Sequence, residues 1–265
     1  MKSISTLALV LIVLAAATPA AAQVDRLYDK EVKSLVEQSK KTFERFWDAL
    51  DNTLKNTTFK GPYGEFVVKK IGEDYKNTID IADKRIAESY SASDEVGKIF
   101  SEAVRIDHYV AQQGAAMKGA SEWQAHANVL KQLAVQFGGT FPPSQGQAYR
   151  RYTDKEVISA AAAIEASSKQ FASALENALK KDKATPEATR KAMVADVKSL
   201  GEAAKLLGSA VKDRKPASAQ VTTLLERSKK VGEMLTAGGA ASAVQGQWTG
   251  LSGRVETIAT AFRAK

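Results

Sequence analysis

Asp29-Lys30-Glu31-Val32 returns as Asp154-Lys155-Glu156-Val157, and Ala49-Leu50, Asn52 and Leu54-Lys55 return as Ala174-Leu175, Asn177 and Leu179-Lys180. The offset is 125 residues each time, with no gap. Over 29–55, eleven of 27 positions equal their partners, where shared composition alone supplies roughly two or three. The register persists downstream: Ala92-Ser93 matches Ala217-Ser218, Val96 matches Val221, Trp123 matches Trp248 and Phe137 matches Phe262. The chain reads as an internal duplication, and the periodicity inside each copy decides what is duplicated.

In the first copy, Val32, Leu35/Val36, Phe43, Phe46/Trp47, Leu50 and Leu54 recur at steps of three and four, the spacing that keeps side chains on one helical face. Three more stripes follow, Val68 to Ile86, Val96 to Val110 and Trp123 to Phe137. They predict helices over about 29–56, 65–89, 93–113 and 121–137, repeated as 154–183, 186–213, 218–237 and 241–263. No segment alternates with period two for long enough to predict a strand. Thr153 with Glu156 and Ser121 with Gln124 fit capping boxes, and Thr185-Pro186-Glu187 fits an N-cap followed by proline at the first helical position. Gly61-Pro62-Tyr63-Gly64, Gly138-Gly139 and Gly238-Gly239 read as loops.

Helices joined by short loops run antiparallel, so the expected fold is all-α, two tandem antiparallel four-helix bundles. The alternative is a continuous eight-helix array. The expected divisions are a signal peptide at 1–22, a first four-helix repeat at 23–139, a linker at 140–152 carrying Pro142-Pro143 and Gly146, and a second repeat at 153–265.

Residues 1–22 carry Lys2, an apolar stretch from Leu7 to Ala17 and Ala20-Ala21-Ala22 before Gln23, the pattern of a cleavable secretory signal. A bilayer span needs about 20 apolar residues, and Thr18-Pro19 interrupts this stretch, so an uncleaved anchor is the weaker reading and no transmembrane segment is expected in the mature chain. The expected location is periplasmic or secreted, by bacterial export. The chain holds no cysteine, which excludes disulfides, thiolate metal sites, a lipobox and covalent haem.

Charge divides unevenly. Residues 23–139 carry 17 basic and 18 acidic side chains, residues 140–265 carry 20 and 12. The sequence names no partner; the functional reading of Lys180-Lys181-Lys183, Arg214-Lys215 and Lys229-Lys230 is attachment to an anionic surface or an acidic protein through the second repeat. The bland reading of these groups is dipole complementation at helix ends. Nucleic acid is not expected, because aromatic residues that stack on bases are not interleaved with the basic ones.

Catalytic constellations are absent from the pattern. The two histidines, His108 and His126, correspond to Glu233 and Leu251 in the second copy. His108 falls off the apolar face and reads as solvated or locally bonded, while His126 adjoins Ala127, where partial burial is open to it, and stands alone. Neither sits beside a Gly-x-Ser-x-Gly turn, no inward Glu-x-x-His set exists, and there is no phosphate-binding glycine loop. No catalytic, cofactor-binding or metal-ligating residue is assigned, and no cofactor. The aromatic group Phe43, Phe46, Trp47, Tyr75, Phe100, Trp123 and Phe137 reads first as core and second as a pocket lining. In the second copy Phe43 and Trp47 become Ser168 and Ala172, and residues 160–163 are four alanines, so helices there approach more closely or leave a cavity. The expectation is a non-catalytic exported scaffold or interaction protein of the bacterial envelope. The alternatives are a periplasmic carrier of an apolar or amphipathic ligand, or attachment to an anionic surface through the second repeat.

Asp-Lys-Glu-Val at 29–32, Gly-Pro-Tyr-Gly-Glu at 61–65, Gly-Ala-Ser-Glu-Trp at 119–123 and Gly-Gly-Thr-Phe-Pro at 138–142 resemble stretches in a group of secreted, helical bacterial proteins without an assigned function. The resemblance implies export and a helical fold, and carries over no functional residue.

Overall fold

The computed structural model describes residues 26–182, 184–236 and 244–264, so the expected signal at 1–22 and the Gly238-Gly239 loop lie outside the described residues. About 76% of the described residues are helical. The elements run α1 Asp29–Ala49, α2 Asn52–Lys55, β1 Thr58–Gly61, β2 Gly64–Val67, α3 Val68–Ala87, α4 Ser93–Gln113, α5 Ala120–Gln136, α6 Asp154–Lys181, α7 Glu187–Lys212, α8 Ser218–Thr236 and α9 Gln245–Phe262.

Two rings of contact organise them. α1 packs on α3 and α5, and α4 closes the ring against the same two; α6 packs on α7 and α9, and α8 closes the second ring. Each ring is an up-down-up-down bundle around its own core, one built on Val32, Phe43, Tyr75, Phe100 and Leu130, the other on Ile164, Phe171, Leu200, Leu224 and Ile258. Three of the four long helices in each bundle start 125 residues apart, at Asp29, Ser93 and Ala120 and at Asp154, Ser218 and Gln245, whereas α3 and α7 start at Val68 and Glu187.

The first bundle departs from expectation at the end away from Asp29. The helix expected over 29–56 stops at Ala49, because the Asp51 carboxylate accepts from the Leu54 N–H at 2.9 Å and starts the separate turn α2. The next helix begins at Val68 rather than Glu65, because β1 and β2 pair as an antiparallel hairpin in register Thr58↔Val67 to Gly61↔Gly64. The sequence pattern predicts no strand here. Four-residue strands are too short for alternation to show, and the hairpin is held by burial: Phe59 lies 5.2 Å from Phe66 and 5.3 Å from Tyr109, ring to ring. Gly64, at φ +93°, supplies the left-handed residue of the turn.

In the second bundle Phe59, Gly64 and Phe66 are replaced by Ala184, Thr189 and Lys191 at the same offset, and α6 and α7 lengthen to 28 and 26 residues instead. Small residues bring these two helices together. A Cβ built on Gly201 would sit 3.0 Å from the Ser168 Cβ, and one on Gly208 3.3 Å from the Ala161 Cβ. Ala161 is thus met by close approach, while Ser168 and Ala172 also line a cavity of about 330 Å³ with Gly201 and Lys198, so both expected outcomes occur.

Two expected caps are corrected. α5 is entered through Gly119 at φ +90°, not through a Ser121 box; Ser121 bonds Glu122 instead. Thr185 gives its hydroxyl hydrogen to Asp182 and leaves Pro186 as the residue before α7. The Thr153–Glu156 box is present, with the Thr153 oxygen accepting from Glu156 N at 3.1 Å and the Glu156 carboxylate accepting from Thr153 N at 2.7 Å. The segment joining the bundles lies against the first core: Phe141 is buried, and Tyr149 stands 4.4 Å from the Phe100 ring.

Candidate functional site

Polar chemistry gathers at three places. The first is inside the first bundle, where His126 has no solvent exposure and is walled by Phe43, Tyr75 and Trp123 at ring distances of 5.6, 5.6 and 5.2 Å. Its Nδ1 lies 2.9 Å from Thr42 Oγ1 and its Nε2 lies 2.7 Å from the Tyr75 hydroxyl. Thr42 gives its own hydrogen to the Gln38 carbonyl at 2.8 Å, which leaves its oxygen to accept. The ring proton is thereby assigned to Nδ1, and Nε2 accepts from Tyr75.

His126 is therefore not alone, as its sequence neighbours suggest, but the middle of a buried relay. A signal for this exists in the sequence: position 126 stands three after Trp123 and four before Leu130, on the inward stripe. Tyr75 comes from another helix, and no local pattern announces it. Burial drives the His126 imidazole from its ordinary range down to about 3, and pushes the Tyr75 phenol well above its own. A histidine neutral throughout the physiological range, with both nitrogens engaged, makes a poor general acid or base. At the offset of 125 the second bundle carries Ser167, Leu200 and Leu251 in place of Thr42, Tyr75 and His126, so the polar layer belongs to one bundle.

Of the aromatic residues singled out, Phe43 and Trp123 flank the His126 ring with Phe46 packed against both, and Trp47 covers Gly72 so closely that a Cβ there would fall 2.2 Å from its ring. Phe100 packs elsewhere, under Phe141 and Tyr149. His108 is half-buried at the hairpin, 5.8 Å from the Phe59 ring and bonded to Gln112 at 3.2 Å, which is the local bonding expected of it.

The second place is the basic end of the second bundle. Lys180, Arg190, Lys191 and Lys198 share a groove between α6 and α7 with Glu176 and Glu187. Lys180 pairs with Glu176 at 2.9 Å and Lys191 with Glu187 at 2.7 Å. Of the other predicted groups, Lys215 pairs with Asp213, Lys229 with Glu233 and Lys230 with Asp196, while Lys183 lies outside the described residues. Exposed pairs of this kind contribute little to stability.

The third place is one that the sequence pattern does not announce. The N-termini of α1 and α6 meet, and Asp29 and Asp154 cap each other: each backbone N–H donates to the other's carboxylate at 2.9 Å. Arg26 donates to Asp154 at 2.6 Å and to the Tyr152 carbonyl at 2.7 Å; Arg151 donates to Asp29 at 2.5 Å and to the Leu27 carbonyl at 3.0 Å. Both arginines are nine-tenths buried. Arg26 and Arg151, Leu27 and Tyr152, Asp29 and Asp154 are all 125 apart, so the arrangement is reciprocal, like an interface between two copies of one surface. Extending the repeat three residues upstream of Asp29 exposes the pair.

Among the described residues no three His, Cys, Asp or Glu side chains gather as metal ligands, and no helix is long and apolar enough to cross a membrane. No family model, curated protein or solved structure matches the chain.

Proposed function

We propose that the protein is an exported, non-catalytic scaffold or interaction protein of the bacterial envelope. It holds a near-neutral bundle and a basic bundle at a fixed relation, and the basic bundle meets an anionic surface. The observation that carries this reading is the reciprocal clasp. Two buried arginines, two aspartates and two backbone amides at a pair of facing helix N-termini make a joint with no freedom to hinge cheaply, because opening it strands desolvated charges. A rigid joint between unlike heads suits placement of one surface relative to another better than it suits turnover. The sealed state of the His126 relay supports the non-catalytic part. The register from helix to helix and across the clasp supports descent of both bundles from one duplicated module. Export rests on the signal-like residues 1–22.

The test is sedimentation of the full chain with vesicles of phosphatidylglycerol and phosphatidylcholine. The protein is expected to pellet at low salt and to be released as the Debye length contracts to about 3 Å near 1 M. Lys191→Glu/Lys198→Glu, at the groove end, is expected to abolish pelleting. Retention that ignores salt, or a variant that pellets like the parent, defeats the proposed attachment.

A further inference from the structure

Beside the clasp lies a cavity of about 420 Å³ whose walls carry four arginines, Arg26, Arg150, Arg151 and Arg263, and no acidic side chain. The buried Arg26 and Arg151 form its deeper wall, while the exposed Arg150 and half-buried Arg263 stand nearer solvent. Asp29 and Asp154 neutralise two of the four charges through their pairs with Arg151 and Arg26. Two positive charges are left over. Among the described residues Arg263 has no ion-pair partner, and burial first, then the fields of Arg151 and Arg26, holds its guanidinium below the usual range.

Arg150 and Arg26 also stand over aromatic rings, Tyr152 at 4.6 Å and Phe262 at 5.7 Å, contacts that use the face of the guanidinium and not its N–H groups. The Nε–H groups of Arg26 and Arg151 are buried without any hydrogen-bond partner, an arrangement native interiors rarely leave standing. Among the described residues no arginine side chain bonds a carbonyl at the end of α5 or α9. In the last turn of α5, Val135 and Ala134 accept from Gly138 N and Gly139 N, and in that of α9, Thr260 and Ala259 accept from Arg263 N and Ala264 N, all backbone donors. Four clustered arginines with donors to spare form a receptor for anionic oxygens, since guanidinium offers paired N–H groups at the spacing of carboxylate and phosphate.

We propose that this cavity binds a small organic dianion, a dicarboxylate or a phosphate monoester, seated between Arg263 and Arg150 against the wall formed by Arg26 and Arg151. The two surplus charges set the charge of the ligand. Phe137, Tyr152 and Ala261 in the same walls favour a ligand with an apolar framework over a bare ion. Because the cavity is bounded by residues of both bundles, its occupant adds to the clasp and raises the stability of the joint.

The experiment is isothermal titration of the full chain with inorganic phosphate, phenyl phosphate, succinate and, as a monoanion, acetate, at matched ionic strength. At least one dianion is expected to bind saturably with one site per chain, on the order of tenfold or more tighter than acetate. Phosphate-type and carboxylate-type ligands are distinguished by which of phenyl phosphate and succinate prevails. Arg263→Gln is expected to weaken that binding about tenfold or more while leaving both Arg–Asp pairs in place. Lys229→Glu/Lys230→Glu, remote from the cavity, is expected to leave it unchanged. Should Arg263→Gln fail to fold, Arg150→Gln carries the same expectation. Absence of saturable binding by all three dianions, or equal binding by the parent and the cavity variants, overturns the proposal.

Discussion

Acidification should destabilise the first bundle through His126, and the size of the effect follows from its burial. The imidazole titrates near 6.5 in an unfolded chain and near 3 in the fold. Its folded pKa is depressed, and it is a base, so the unfolded state binds the extra proton between the two values and stability falls as pH falls through 6.5. The loss is about 2 kcal/mol at pH 5 and about 3 kcal/mol at pH 4, levelling off only near pH 3 where the folded ring also protonates. Carboxylates titrate over the same range, Glu102 among them with its pKa raised by half-burial, so the parent alone does not isolate the effect of His126. The comparison is with His126→Leu, which places at 126 the residue that occupies 251. Urea unfolding is followed by tryptophan fluorescence in a Trp248→Phe background, so that Trp123, 5.2 Å from the His126 ring, and Trp47 report on the first bundle alone. His126→Leu is less stable than the parent at pH 7, because it strands the Tyr75 hydroxyl, but its stability should fall less between pH 7 and pH 5, by about 2 kcal/mol. Equal slopes in parent and variant would refute the assignment of a neutral, sealed His126.

Other expectations follow from single contacts. Arg151→Met leaves Asp29 without its buried partner and should cost about 3 kcal/mol, with the bundles unfolding in separate urea transitions; one unchanged transition would show that the clasp does not couple them. Gly201→Leu forces side-chain volume against Ser168, where a Cβ alone sits at 3.0 Å, and should lower stability by about 1–3 kcal/mol, visible as a shifted melting of the second bundle. Ser168→Ala should act in the opposite sense, by about 1 kcal/mol in thermal unfolding, because the Ser168 Oγ is buried with no partner.

Much of the architecture is legible along the chain, because helical stripes are local. Val32, Leu35, Phe43 and Phe46 declare the inward face of α1 by spacing alone, and the burial of those residues follows from it. Ser93 and Ser218 lie 125 positions apart, and α4 and α8 start at them. The hairpin is not legible. Phe59 and Phe66 have no helical partner and too few neighbours to alternate, and only the shelf made by Tyr109 and His108 turns them into strand residues.

The same division runs through the chemistry. Sequence by itself determined that the chain lacks cysteine, has two histidines and concentrates its positive charge after residue 140, because these are counts that folding does not alter. Tertiary structure alone decided that His126 meets Tyr75 from a helix 51 positions away, that α6 and α7 close at Gly201 and Gly208, and that Arg26 and Arg151 cross over to each other's aspartates. The physical reason is range. Periodicity and capping act over a few residues and are written where they act, whereas a buried charge or ring is satisfied by whichever distant group the packing delivers, and that partner is fixed only when the helices close around it.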